Sequence, residues 1–187
     1  MLELQKFGIK LFFEVKKNYT SKKFIPEFHK WIQNESIKDH LLIDVADYSH
    51  IIDGPGVMLI AHEANISLDQ ENKKPGLLYM RKTKVNGDFK ERFIKVLSMT
   101  IDNAKLLKNN TINQKINYLN NTLHFIANDR LYAENIKEKQ NLYKKEIAKA
   151  LIEQYPSINV DFSDVSYPRE RLAFTVKIID NKNILDL

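Results

Sequence analysis

Residues 41–63 read LLIDVADYSHIIDGPGVMLIAHE, and this stretch decides the fold. Its apolar runs, Leu41–Ala46 and Val57–Ala61, are rich in Val, Ile and Leu and too short for helices. Asp53-Gly54-Pro55-Gly56 lies between them and supplies turn chemistry. The pattern predicts central strands joined as a hairpin. Asp44, Asp47, His50, His62 and Glu63 lie within or beside this framework, the densest set of titratable groups near a predicted core.

Working outward, residues 8–15 (GIKLFFEV) predict a first strand, with Ile9, Leu11 and Phe13 on one face. Pro26 fits the first turn of a helix carrying Phe28, Trp31 and Ile32 at helical spacing. Residues 67–75 are polar and predict a surface loop, after which Gly76–Met80 restarts a strand. Asp88 is placed to cap the longest helix, whose buried stripe is Phe89, Phe93, Leu97, Thr100, Ala104 and Leu107. The Asn-rich residues 109–121 carry Ile112, Ile116 and Leu119 at helical spacing and predict one or two turns of helix. A strand over Thr122–Asn128 and a helix over Asn135–Tyr155 follow, the helix facing inward through Ile136, Tyr143, Ile147, Ala150 and Leu151. Strands over Ile158–Phe162 and Leu172–Ile179 complete the chain.

The expected fold class is α+β: a mostly antiparallel sheet with helices packed on it, forming one domain over residues 1–187. The order strand, helix, strand, strand occurs in residues 8–63 and again in 122–179, as if two βαββ units stood in tandem. If the hairpin turns of such units approached one another, a cleft between them would collect Asp47, His50 and Glu63 with Asp164, Arg169 and Arg171.

Composition narrows the function classes. The 187 residues are 43% hydrophobic and 28% charged, ordinary for a globular chain. There is no cysteine, which removes disulfides, thiol nucleophiles and thiolate metal sites. The apolar run near the N-terminus is interrupted by Lys10 and Glu14, so neither a signal peptide nor a membrane span is expected, and the cytoplasm is the expected location. The net charge of +5 permits an acidic partner. Its lysines are interleaved with Asp and Glu, and no nucleic-acid-binding motif accompanies them, so nucleic acid is the least favoured partner.

The titratable residues offer three kinds of site. Asp44, Asp47, His50 and His62 could form a carboxylate–histidine site for general acid–base catalysis, with Asp44 facing Ala61 or His62 across the hairpin. The competing reading of Asp44 is a structural ion pair or a backbone-bonded strand-end carboxylate. His50, His62 and Glu63 are weak candidates for a divalent metal, because no H-E-x-x-H pattern is present and adjacent strand residues point to opposite faces. Arg81, Lys82, Arg130, Arg169 and Arg171 stand at strand ends or turns, where convergent guanidinium groups would bind phosphate or carboxylate.

The wording L-I-D-V-A-D-Y-x-H, then G-P-G-V-x-L-I-x-H-E-A, with R-E-R near the end, resembles bacterial proteins that carry no assigned activity. The resemblance covers mainly Leu42–Ala64 and Gly76–Lys82 and implies a bacterial-type cytoplasmic protein. The leading expectation is a binding domain for a small anionic ligand or a protein partner, with a homodimer formed by edge pairing or face packing of the sheet as a possible assembly. An enzyme with a carboxylate–histidine site stands second, and nucleic-acid binding third.

Overall fold

In the computed structural model, which describes residues 2–15, 19–110, 116–164, 169–180 and 182–187, strands and helices follow alternating and 3.6-residue apolar patterns. The strands are β1 (Phe7–Glu14), β2 (Leu42–Tyr48), β3 (Gly56–Ala61), β4 (Ala64–Asp69), β5 (Gly76–Arg81), β6 (Asn117–Ala127), β7 (Val160–Asp164) and β8 (Ala173–Ile178). The helices are α1 (Ile25–Gln33), α2 (Phe89–Asn110) and α3 (Lys137–Gln154). Among the described residues the strands form one sheet in the order β2-β3-β4-β5-β1-β6-β8-β7, every neighbouring pair antiparallel.

Alternation assigns the faces. Ile9 and Leu11 of β1, Leu59 of β3, Ile66 of β4, Tyr79 of β5, Phe125 of β6 and Phe174 of β8 join one buried core with Trp31 of α1, Phe93 and Leu97 of α2, and Tyr143 and Ile147 of α3. The helices therefore cover one face of the sheet. Around Phe125 the rings of Phe7, Phe89, Phe93, Tyr143 and Phe174 lie with centroids 5.1–6.4 Å away, the separations favoured by aromatic pairs. Burial pushes the phenol of Tyr143 up to about 12, and its hydroxyl donates to the Tyr132 carbonyl at 3.1 Å.

Local chemistry starts α1 and α2. Pro26 occupies the first turn of α1, and the indole N–H of Trp31 donates to Glu27 at 3.1 Å. The Asp88 carboxylate accepts from the Glu91 amide at 2.9 Å, while Glu91 accepts from the Asp88 amide at 2.7 Å. This reciprocal pair is a capping box, which satisfies two otherwise orphaned amides before α2.

Several sequence expectations need correction. β2 is not central: it is an edge strand, and its Leu41–Tyr48 surroundings are largely exposed. Residues 64–69, of which 67–69 read as loop, form β4, and Ser67 and Asp69 are buried. Asn117–Asn121 extends β6 rather than forming a helical turn, while Ile112 lies outside the described residues. Ile136 precedes α3 and is exposed.

The strand–helix–strand–strand order does recur, as β1-α1-β2-β3 and β6-α3-β7-β8. In the sheet β1 and β6 are antiparallel neighbours, and each half ends on the first strand of its hairpin, β2 or β7. The β4–β5 hairpin sits between β3 and β1 in the first half only. Because β1 and β6 run in opposite directions, the β2–β3 and β7–β8 connections emerge at opposite ends of the sheet. The cleft expected between those hairpin turns therefore does not form.

Candidate functional site

The hairpin residues sit in wet, separated places. Asp44 is exposed on β2 and faces Ile60, not Ala61 or His62, because the register shifts between Leu42 and Asp44. Its carboxylate accepts from the neighbouring Val45 amide at 2.7 Å. Asp47 accepts from the Ser49 amide at 2.9 Å and from the Ser49 hydroxyl, with Lys22 at 3.5 Å. Those Ser49 hydrogen bonds hold its carboxyl below the usual range. His50 is exposed in the β2–β3 turn, and His62 is exposed in the β3–β4 turn at the other end of β3. A strand's length thus separates His50 from His62 and Glu63. Among the described residues no three His, Asp or Glu side chains gather as a metal site.

Glu63 belongs to a different group, at the lower ends of β4 and β5. Its carboxylate accepts from the Leu41 amide at 2.9 Å, and its carbonyl accepts from the Lys82 amide at 2.8 Å. Partial burial pushes this carboxyl up, but the Leu41 hydrogen bond and the nearby His40 and His62 leave it lowered overall. Burial lowers the Lys82 ammonium, opposed by the charge of Glu63. Beside them Tyr79 is fully buried, with its hydroxyl 2.7 Å from His40 Nε2 and 3.2 Å from Arg81 Nη1. His40 Nδ1 lies 2.8 Å from the Lys38 carbonyl, so one tautomer satisfies the whole chain: Nδ1–H donates to Lys38, and Nε2 accepts from Tyr79. Arg81 Nε also donates to the Thr83 carbonyl at 3.2 Å. This network ties the segment before β2 to β5, and its groups are spent on one another.

The sheet face away from the helices is different. Its middle row runs across the strands as Ala46, Met58, Ser67, Leu78, Lys10, His124, Thr175 and Ser163, each opposite the next. A second small apolar cluster, Leu78, Met80, Ile126 and Ala173, forms here. Lys10 is only 3% exposed and ion-pairs with Asp69, itself 5% exposed. Two loops lean over this face: the 3-10 turn Glu71–Lys73 from the upper end, and residues 169–172 from the lower end. Glu71 and Arg171 meet where the loops approach, at 3.9 Å.

On either side of that contact lies a cavity. The first, 190 Å³, is lined by His124, Ile126 and Ala173, with Arg130, Arg171, Glu71, Glu170 and Asn72 around it. The second, 260 Å³, has Met58, Leu78, Met80, Asn65 and Ser67 below, and Asp53, Asp69, Glu71 and Arg171 at its sides. Arg171 donates to the Asn128 carboxamide at 3.1 Å, and Arg130 donates to the Arg169 carbonyl at 3.0 Å, which holds both guanidinium groups at the rim.

His124 is the titratable centre of the first cavity. Nδ1 lies 3.2 Å from the Thr175 hydroxyl, and the ring stacks obliquely near Phe12 at 6.0 Å. Burial lowers its imidazole to about 4, helped by the positive charges of Lys10, Lys74 and Arg171. It is therefore neutral at pH 7.

Of the residues singled out from the sequence, the structure brings Arg130 and Arg171 to this face, with Arg169 contributing its carbonyl as the acceptor for Arg130, and His62, Glu63, Arg81 and Lys82 to the network at the strand ends. It leaves Asp44, Asp47 and His50 dispersed. Lys10, Asp69, His124 and Asn65 were missed. The available signal was the alternation of β1 and β6, which set Lys10 and His124 between core residues. No protein-family model matches the chain, and no curated protein matches it.

Proposed function

We propose that the domain binds a small anionic ligand on the open face of the sheet, against His124 and between Arg130 and Arg171. The carrying observation is the 190 Å³ cavity that brings these groups together. Burial first, and then the positive charges of Lys10, Lys74 and Arg171, disfavour protonation of His124. An anion in the cavity would be attracted by the field of those charges, and guanidinium groups match carboxylate and phosphate geometry. The Glu71 carboxylate, 3.9 Å from Arg171, occupies part of that field and would be displaced or screened by the ligand.

The test is a titration of the full chain with inorganic phosphate and, separately, acetate, followed by the NMR signals of His124. Saturable shifts at His124 and a rise of its imidazole pKa in the bound state are expected, since a bound anion favours the imidazolium. Arg171→Ala should weaken binding at least tenfold while leaving the fold intact. Unmoved His124 signals at tens of millimolar of both anions, or an Arg171→Ala variant that binds unchanged, would overturn the proposal.

A further inference from the structure

The two cavities share a wall but differ in charge. The cavity against His124 is bordered by two arginines and two glutamates, Arg130 and Arg171 with Glu71 and Glu170. Its neighbour has Asp53, Asp69 and Glu71 at its sides, with Arg171 as its cationic lining residue. Asp69 is already committed to Lys10 and also accepts from the Glu71 amide at 3.2 Å. Asp53 accepts from the Lys73 amide at 3.1 Å. The Asn65 carboxamide oxygen, by contrast, is buried with no hydrogen-bond partner among the described residues. A buried acceptor without a donor is costly, and a ligand donor placed there recovers that cost. Between the polar groups the floor is apolar: Met58, Leu78 and Met80 in one cavity, Ile126 and Ala173 in the other.

Glu71 and Arg171 line both cavities and stand 3.9 Å apart. Opposite charges at that spacing form a template for a molecule that carries both charges itself. A ligand carboxylate can replace Glu71 on Arg171, and a ligand ammonium can replace Arg171 on Glu71. Charge balance at the site is then kept, which a simple anion would not achieve.

Resting on the anion-binding reading above, we infer that the ligand is a zwitterion with an aliphatic body: its carboxylate lies beside Arg130, Arg171 and His124, its ammonium lies toward Glu71 and the Asn65 oxygen, and its hydrocarbon covers Met58, Leu78 and Met80.

The test uses isothermal titration of the full chain with five probes. L-Leucine and 6-aminohexanoate carry both charges at short and long separation, 4-methylpentanoate carries only the anion, isopentylamine only the cation, and inorganic phosphate tests the parent reading. One of the two zwitterions is expected to bind at least tenfold more tightly than 4-methylpentanoate and isopentylamine. Asn65→Leu is expected to lower that zwitterion's affinity at least tenfold and to leave 4-methylpentanoate unchanged. Asp53→Asn, in an exposed turn, should fold normally and should weaken the zwitterion but not 4-methylpentanoate. If 4-methylpentanoate or phosphate binds while neither zwitterion binds better, the zwitterion inference fails and the anion site stands. If none of the three anion-bearing organic probes binds, and phosphate does not, both readings fail together.

Discussion

Lys10 and Asp69 belong to strands separated by β5, and their charges meet because that intervening strand carries Gly76 at the crossing point. Asp69 faces Gly76, and Gly76 faces Phe12, one pleat above Lys10 on the same side. The lysine stem passes over the glycine, with its Cγ and Cε at 2.9 and 2.8 Å from where a Cβ would stand. A charge pair is thereby buried on the face away from the helices, beside the small apolar cluster of Leu78, Met80, Ile126 and Ala173.

Breaking that pair on one side should be severe. Lys10→Met leaves the Asp69 carboxylate buried without its counter-charge, a situation that costs about 3–5 kcal/mol. Adding Asp69→Leu to make an apolar pair should recover most of the loss. Urea unfolding of both variants measures this, and a single variant within about 1 kcal/mol of the parent would refute a structural role for the pair.

Gly76→Ala should also destabilise. The new methyl would stand 2.7 Å from the Leu11 carbonyl oxygen, which is backbone and cannot swing aside, as well as against the Lys10 stem. Overpacking of this kind typically costs about 1–3 kcal/mol. If crowding is the cause, Gly76→Ala combined with Lys10→Met should remain less stable than Lys10→Met alone, because the clash with the carbonyl persists. Equal midpoints for these two proteins in urea would place the whole effect on the lysine stem.

His124 predicts how stability depends on pH. Its folded pKa of about 4 lies below the unfolded value of 6.5. Between these values the unfolded chain binds the proton and the folded chain does not, so stability falls as pH drops from about 6.5 to 4 and this contribution levels off below. The full difference is on the order of 3 kcal/mol, since each tenfold change in proton affinity is worth roughly 1.4 kcal/mol. Unfolding free energies measured across pH 4–7 should show this slope in the parent and lose it in His124→Gln. A parallel slope in both proteins would assign the effect to other groups.

Tyr79→Phe isolates the strand-end network. The ring stays in the core, while His40 Nε2 loses its donor and Arg81 loses an acceptor. A destabilisation of about 1–2 kcal/mol is expected, the usual loss when buried polar partners are left unmatched. Since the network is distant in role from the open face, phosphate titration of this variant should give the parent affinity. A tenfold change in that affinity would show that the two regions are coupled.

How much of this was legible depends on which residues face the helices. β1 and the α2 stripe were readable because apolar side chains recur at periods of 2 and 3.6, and the core accepts them in that order. β4 was not readable: Asn65, Ser67 and Asp69 give it the composition of a loop, and the counter-charge that makes burial of Asp69 tolerable comes from Lys10, distant in sequence. The Asn-rich start of β6 was obscured in the same way, since Tyr118 packs edge-on against Phe13 at 5.8 Å while its neighbours stay exposed. The hairpin is legible in its two Val/Ile/Leu runs, which pair as β2 and β3, but those runs carry no information on sheet order, and β2 lies at the edge. For the site, aspartates and histidines of the hairpin drew attention by density alone. Lys10 and His124 stood singly in apolar strands, where an isolated polar residue carries no visible partner.

The strict alternation along β1, β4, β5, β6 and β8 writes two messages in one stretch of chain. In β6, Leu123 and Phe125 hold the interior while His124 and Ile126 face the cavities; in β5, Leu77 and Tyr79 do the first, and Leu78 and Met80 the second. Open-face letters other than Lys10, Asp69 and Gly76 can therefore be rewritten to change what the sheet recognises, while the helix-side letters keep the scaffold standing. A library confined to positions 58, 65, 78, 80, 124, 126 and 173 would explore new ligands by repacking the small open-face cluster while leaving the helix-side core unedited, which makes this sheet a natural platform for engineered binding.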